Sequence, residues 1–217
     1  MKADRATARR GGRETPYQRA RDAGRQALRE AVLQTAGDVL AREGAGALTM
    51  RRIADQIGSS TTVLYALFDG KSGIIDAMVL EGHELLRQRL EAIPRTGAPF
   101  ERLAATGVAY REAALGDPAR YQLMFGSAIP GYQRGEAARE AARSSFHVLV
   151  EAVRDCVDAG VFESSTDPRF AAEILIAAAH GAVSLELSGH FDDPEQADER
   201  FSVLTGASVL PFLADQG

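Results

Sequence analysis

The sequence predicts an all-α protein of about nine helices, in which a three-helix N-terminal unit precedes a larger helical domain. Apolar residues recur at spacings of three and four along most of the chain, as one buried face of a helix requires. Pro118, Pro168 and Pro194 each suit the first turn of a helix, and Gly116 and Gly160 each suit a helix end. No pair of segments alternates apolar and polar residues as neighbouring β-strands would.

The composition is that of a globular protein, with 45% hydrophobic and 25% charged residues in 217. Because Cys156 is the single cysteine, we expect no intramolecular disulfide and no cysteine-rich zinc site. No stretch approaches 18 uninterrupted apolar residues, and the basic N-terminus has no apolar segment of a secretory signal. We therefore expect a cytoplasmic protein with no membrane span, metal or cofactor.

The net charge of −5 conceals an uneven distribution of charged residues. Residues 1–71 contain 13 Lys/Arg and 8 Asp/Glu, whereas the rest of the chain is strongly acidic. A basic end on an acidic protein indicates that this end meets a polyanion, although a solvated tail would give the same balance.

Residues 1–24 are rich in Arg and Gly and poor in apolar side chains. Such a segment buries too little surface to offset its ordering entropy, so we predict a basic arm that is disordered when free. Two interpretations stay open: the arm orders against DNA, or it is a solubilising tail.

Three helices are predicted in the N-terminal unit, which we place at residues 25–86. The first runs from about Arg25 to Glu43 and ends at Gly44. Thr49 can cap a short helix that extends to Ile57, and Gly58 permits a sharp turn. Ser60 can cap a third helix from Thr61 to Leu67, for which Val63 and Leu64 are predicted core residues.

Two short helices joined by a tight turn over residues 49–68 describe a helix-turn-helix. A short helix reads the major groove when its neighbours hold it rigidly at the surface. Arg51, Arg52 and Lys71 flank the third helix and can reach phosphates. The exposed face of the third helix is predicted to present Ser60, Thr61, Thr62, Tyr65 and Ala66.

This segment resembles the TetR family of regulators. The resemblance depends on the cap at Thr49, the pair Ile53-Ala54, the turn at Gly58, and Leu64-Tyr65 followed by Phe68 and Lys71. It implies that Thr49, Tyr65 and Lys71 bind phosphates and that Thr61 and Thr62 face bases. The recognition helix lacks Arg and Lys, so base readout would depend on hydroxyl groups and on contacts with thymine methyl groups.

Residues 87–217 form the predicted effector-binding and dimerisation domain. A long fourth helix is predicted to begin near Lys71 and to end before Pro94. The remaining helices are predicted at about Phe100–Leu115, Pro118–Phe125, Gly135–Ala159, Pro168–Ser188 and Pro194–Leu213.

Residues 107–126 and 177–191 resemble a subset of TetR proteins with a Trp-His-Gly signature, in which His180-Gly181 takes the signature position and alanine replaces Trp. The resemblance implies an effector between these helices and a homodimer through the last two. Candidate effector-lining residues are Tyr110, Tyr121, Met124, Phe125, Phe146, His147 and His180, although ordinary core packing is the alternative for each. Candidate dimer-interface residues are Ile174, Ala178, Gly181, Leu185, Phe201, Leu204 and Leu210.

The predicted function is a ligand-responsive repressor that binds a palindromic operator in double-stranded DNA as a homodimer and is released by a small molecule. The alternatives are a helical interaction module without DNA binding and an enzyme. No catalytic residues are predicted, because the four histidines form no His-Glu-x-x-His pattern and no Gly-x-Ser-x-Gly sequence occurs.

Overall fold

The computed structural model describes residues 15–126, 129 and 132–215. This part of the chain contains nine α-helices and short 3-10 turns, with an isolated β-bridge between Phe162 and Leu213. The prediction of an all-α fold of about nine helices is confirmed. The helices are α1 (Pro16–Glu43), α2 (Met50–Gln56), α3 (Thr61–Leu67), α4 (Gly70–Glu91), α5 (Pro99–Gly116), α6 (Pro118–Phe125), α7 (Glu136–Asp158), α8 (Pro168–Leu187) and α9 (Ala197–Val209).

Helix α1 begins earlier than predicted, at Pro16 rather than Arg25. The prediction of disorder is therefore wrong for residues 16–24, and residues 1–14 lie outside the described part of the chain. A capping box explains the early start: the Thr15 side chain accepts the Gln18 N–H at 3.2 Å, and Gln18 Oε1 accepts the Thr15 N–H at 2.8 Å. Local capping thus forms a helical turn whose side chains remain exposed.

The helix-turn-helix is built by α2 and α3 against α1. Ile53, Ala54 and Leu64 are almost completely buried in one cluster with the inner face of α1. Gly58 has a φ of 66°, a left-handed conformation that an L-residue with a side chain rarely adopts. This glycine directs the chain from α2 into α3.

Helix α4 belongs to two packing regions of the molecule. Its first half contributes Ile74, Ile75 and Val79 to the core of the helix-turn-helix unit. Its second half contributes Leu86 and Leu90 to the core of the C-terminal helices, and it packs along α7. One continuous helix therefore connects the two regions.

The last two long helices, α8 and α9, pack against each other. Helix α8 is long and apolar enough to cross a membrane by length and composition, a test that core helices also pass. Here its inner face packs on α7 and α5 through buried residues such as Ala172, Leu175 and Val183.

Candidate DNA interface and effector cavity

Side-chain caps hold both short helices of the helix-turn-helix. The Thr49 hydroxyl accepts the Arg52 N–H at 3.2 Å at the start of α2. The Ser60 hydroxyl accepts the Val63 N–H at 3.4 Å at the start of α3. Seven-residue helices are marginal alone, so these caps and the contacts with α1 are what order them.

The outer face of α3 presents most of the residues predicted for base and phosphate contacts. Ser60, Thr62, Tyr65 and Ala66 are exposed, and Thr61 is half-buried. Tyr65 is 60% exposed, too much for a core aromatic residue. The prediction of a core position for Val63 is wrong, because its side chain is 37% exposed. A helix this short buries one narrow stripe, which Leu64 occupies.

The predicted phosphate-binding cations differ in how closely neighbouring groups hold their side chains. Arg51 is exposed, and the nearest carboxylate, Asp55, lies 3.9 Å from its guanidinium. Arg52 is held by Glu43 at 2.7 Å, a hydrogen bond that raises the pKa of its guanidinium. Lys71 Nζ donates to the Ala45 carbonyl at 3.4 Å. The last two contacts brace α2 and the turn before it, and leave Arg51 as the more available cation.

Two arginines of α1 support the recognition helix, a role that the sequence analysis did not assign. Arg29 donates to the Leu67 carbonyl at 3.4 Å and lies over the Phe68 ring at 4.4 Å from its centroid. Arg25 donates to the Ala66 carbonyl at 3.4 Å. Positive charge at the C-terminal end of a helix is stabilising. Arg25 and Arg29 are four residues apart and therefore share one face of α1, but the sequence does not show which helix that face meets.

An apolar cavity of about 360 Å³ lies between α4, α5, α7, α8 and α9. This volume falls within the range of roughly 300–1,000 Å³ that small-molecule sites occupy. Its walls are formed largely by apolar side chains such as Leu86, Phe100, Leu149, Leu175 and Val209. No Asp or Glu from the described part of the chain lines it.

The structure brings together three of the seven residues predicted to line an effector site. Tyr110, Phe125 and Phe146 line the cavity. Tyr121 and Met124 instead line a neighbouring cleft of about 590 Å³, which Tyr110 and Phe125 separate from the cavity.

His147 is a correction: its side chain is 65% exposed and lies 3.6 Å from Glu151, outside the cavity. It sits on the outer face of α7, one residue after the inward-facing Phe146. Helical periodicity placed both near the core, and only the rotation of α7 in the fold separates them.

His180 does not line the cavity wall but joins a polar network behind it. Its Nδ1 lies 2.7 Å from Tyr121 Oη and 3.3 Å from Tyr110 Oη, and Tyr110 Oη donates to Tyr121 Oη at 3.1 Å. Burial lowers the pKa of His180 and raises the pKa of both tyrosines. This arrangement makes His180 a hydrogen-bonding residue that locks α5, α6 and α8 together.

A histidine that the sequence analysis assigned no role, His83 of α4, does line the cavity. It is 2% exposed, and its Nδ1 lies 3.0 Å from Ser145 Oγ. Burial, and to a lesser extent the positive charge of Arg134, lowers its pKa to about 4. No short motif marks this residue, because its neighbours come from distant parts of the chain.

The outward face of α8 and α9 carries several exposed apolar side chains. Ile174, Leu185, Leu204 and Leu210 are 39–63% exposed, and Val203 is exposed beside them. Ala178 and Gly181 are half-buried on the same helix face. Phe201 is a correction, because it is 6% exposed and faces the cavity. Apart from Phe201, the predicted interface residues are exposed or half-buried in this chain.

Among the described residues, no cluster of three His, Cys, Asp or Glu side chains could hold a metal ion.

Two family models match the chain. Residues 32–78 match the family described as bacterial regulatory proteins, tetR family, and residues 103–207 match the tetracyclin repressor-like C-terminal domain. The chain belongs to the TetR family of transcriptional regulators. Members of this family are non-enzymatic proteins that bind double-stranded DNA through the N-terminal helix-turn-helix, bind small molecules and act as homodimers. The Trp-His-Gly subset stays a prediction, because neither match tests it.

Solved structures share the fold along most of their length. SCO4313, named as a regulatory protein, is 28% identical, covers 85% of this chain and 98% of its own, and has a TM-score of 0.70. A Rhodococcus sp. RHA1 protein of unknown function is 26% identical, covers 86% of this chain and 95% of its own, and has a TM-score of 0.74. SmeT, the repressor of the Stenotrophomonas maltophilia multidrug efflux pump SmeDEF, is 20% identical, covers 88% of this chain and 93% of its own, and has a TM-score of 0.63. No curated protein sequence matches the chain significantly.

Proposed function

We propose that this regulator is a ligand-responsive repressor, which binds a palindromic operator as a homodimer and releases it when a small molecule occupies the cavity. The observation that carries the proposal is the double role of α4. This helix places Ile74 and Ile75 in the helix-turn-helix core and His83 in the wall of the cavity.

A dimer with two-fold symmetry accounts for the exposed apolar face of α8 and α9. Ile174 and Leu185 lie on α8, and Leu210 directly follows the neighbouring helix α9. A second copy related by two-fold symmetry would cover these side chains with the same region of its own chain. Two α3 helices would then meet two half-sites about one helical turn apart, roughly 34–36 Å, which requires a palindromic operator.

The link from cavity to DNA-binding unit is reinforced by Asp76 of α4. Asp76 Oδ1 accepts the Tyr132 hydroxyl at 2.6 Å and the Gly135 N–H at 2.8 Å. The same segment carries Arg134 into the cavity wall. A ligand that favours another position of α4 or of this segment would change the spacing of the two α3 helices, as differential affinity for two states requires.

The proposal is tested by titrating the full-length protein into a labelled duplex from the region flanking its own gene. We expect selective binding that weakens steeply between about 50 and 200 mM salt, since phosphate contacts release counterions. A duplex with one half-site scrambled is the matched control and should bind much more weakly. If neither the flanking DNA nor a randomised duplex pool contains a selectively bound sequence, the proposal is wrong.

Repression is tested separately by placing the operator upstream of a reporter gene. Loss of the regulator should raise expression, and effector should raise expression only when the regulator is present. A fall in expression on loss of the regulator would show an activator instead.

A further inference from the structure

The wall of the cavity is mostly apolar, but it includes a histidine, an arginine and several hydroxyl groups. His83 and Arg134 both line it, and the charge of Arg134 is near enough to lower the pKa of His83. The chemistry of these two groups determines which molecules fit.

The hydrogen bonds around His83 define which of its nitrogens carries the proton. Ser145 Oγ donates its single proton to the Ala142 carbonyl at 3.0 Å, so it accepts from His83 Nδ1. The imidazole is neutral near pH 7, which leaves Nε2 as an acceptor. Nε2 is buried and has no hydrogen-bond partner among the described residues.

Three hydroxyl groups elsewhere in the wall donate to backbone carbonyls and do not supply the missing donor. Thr106 donates to the Leu103 carbonyl at 2.6 Å, Thr205 to the Phe201 carbonyl at 2.8 Å, and Ser208 to the Thr205 carbonyl at 2.7 Å. A buried acceptor without a donor is unfavourable, so a ligand that brings a hydroxyl or N–H group gains affinity at this position.

Arg134 adds a complementary requirement for an acceptor. Its guanidinium donates to the Met124 carbonyl and forms no salt bridge with any described carboxylate. Among the described residues that line the cavity there is no acidic side chain, so Arg134 is the charged group of this part of the wall. A carboxylate or carbonyl on the ligand is favoured here, and a cationic ligand is disfavoured.

We propose that the effector is an amphipathic hydroxy acid or a close derivative of one. Its hydroxyl group donates to His83 Nε2, its carboxylate or carbonyl accepts from Arg134, and its aliphatic or aromatic body fills the apolar remainder of the cavity. This inference rests on the proposed function, because it names the class of molecule that would release the operator.

The test uses three probes with the same ten-carbon chain: 3-hydroxydecanoic acid, decanoic acid and decylamine. Binding to the full-length dimer is measured by isothermal titration calorimetry. We expect the hydroxy acid to bind about tenfold more tightly than decanoic acid, the effect of about one well-placed hydrogen bond. Decylamine should bind more weakly than either acid, because it brings a positive charge next to Arg134.

Two substitutions at His83 distinguish the effect of the hydrogen-bond acceptor on binding from the effect of side-chain packing. His83→Asn keeps an N–H donor for Ser145 but removes the acceptor at the Nε2 position, and should abolish the tenfold preference for the hydroxy acid. His83→Gln keeps an acceptor near that position and should retain most of the preference. His147→Asn is the matched control, since it removes an imidazole from the same domain outside the cavity.

The inference is overturned if decanoic acid binds as well as the hydroxy acid, if His83→Asn keeps the preference, if decylamine binds as tightly as the acids, or if neither acid binds. Operator binding measured on the same preparations distinguishes these failures from failure of the proposed function. A protein that binds its operator and is released by compounds of another class would retain the repressor function and refute the hydroxy acid.

Discussion

Replacement of His83 should change how the stability of this protein depends on pH. In the folded protein, burial beside Arg134 lowers the pKa of His83 to about 4. In the unfolded chain the imidazole is expected to titrate near its ordinary value of about 6.5. Between these two values the unfolded chain binds more protons, so acidification favours unfolding. The stabilising contribution of the neutral imidazole is complete above about pH 6.5 and is lost as the pH falls toward 4.

The size of the effect follows from those two pKa values. Between pH 7.5 and pH 5.0, His83 should lower the free energy of unfolding by about 2 kcal/mol per protomer, with a limit of about 3 kcal/mol once the pH is below both values. In His83→Gln this contribution is absent. The variant should therefore lose about 2 kcal/mol less than the unmodified protein over the same range, whatever its stability at pH 7.5.

The assay is urea unfolding followed by far-ultraviolet circular dichroism at several pH values. Protein concentration is held constant, because the stability of a dimer depends on it. Carboxylates that also titrate near pH 5 affect both proteins equally and cancel in the difference. His147→Gln, with its exposed side chain, is the control for removal of an imidazole elsewhere. A constant difference in unfolding free energy between the unmodified protein and His83→Gln from pH 7.5 to 5.0 would refute the inferred environment of His83.

Three further predictions concern the DNA-binding unit and the dimer. Arg29→Gln removes the hydrogen bond and the cation–π contact at the end of α3, and should lower the free energy of unfolding by about 1–2 kcal/mol and DNA affinity severalfold. Arg25→Gln removes a more exposed contact and should have a smaller effect. Equal effects of the two substitutions in thermal melts and anisotropy titrations would contradict this prediction. Leu210→Asp places a charge on the exposed apolar surface next to α8 and α9, and should shift the protein to monomers in light scattering and weaken operator binding more than tenfold. The control Leu115→Asp, on the exposed side of α5, should leave the dimer intact. If Leu210→Asp stays dimeric, another surface mediates association. Arg51→Gln should reduce the slope of log affinity against log salt by about 0.9 if this side chain neutralises one phosphate, and an unchanged slope would exclude that contact.

The sequence by itself determined the helices and the helix-turn-helix of this protein. Predicted and observed bounds agree for Thr61–Leu67 and Pro118–Phe125, because caps, prolines and apolar spacing act over a few neighbouring residues. The spacing from Thr49 to Lys71 was sufficient to indicate the TetR family. The start of α1 was missed because composition outweighed a local signal, the capping box at Thr15.

Only the tertiary structure decided which apolar face of a helix meets which neighbour. Periodicity places Phe146 and His147, or Phe201 and Leu204, close to the apolar side of their helices without separating inward from outward positions. Helix rotation and crossing then place Phe146 and Phe201 at the cavity and leave His147 and Leu204 exposed. The partnership of His83 with Ser145, 62 residues away in the chain, depends on the packing of α4 against α7. Contacts over such distances are set by the packing of whole helices, which no local spacing in the sequence encodes.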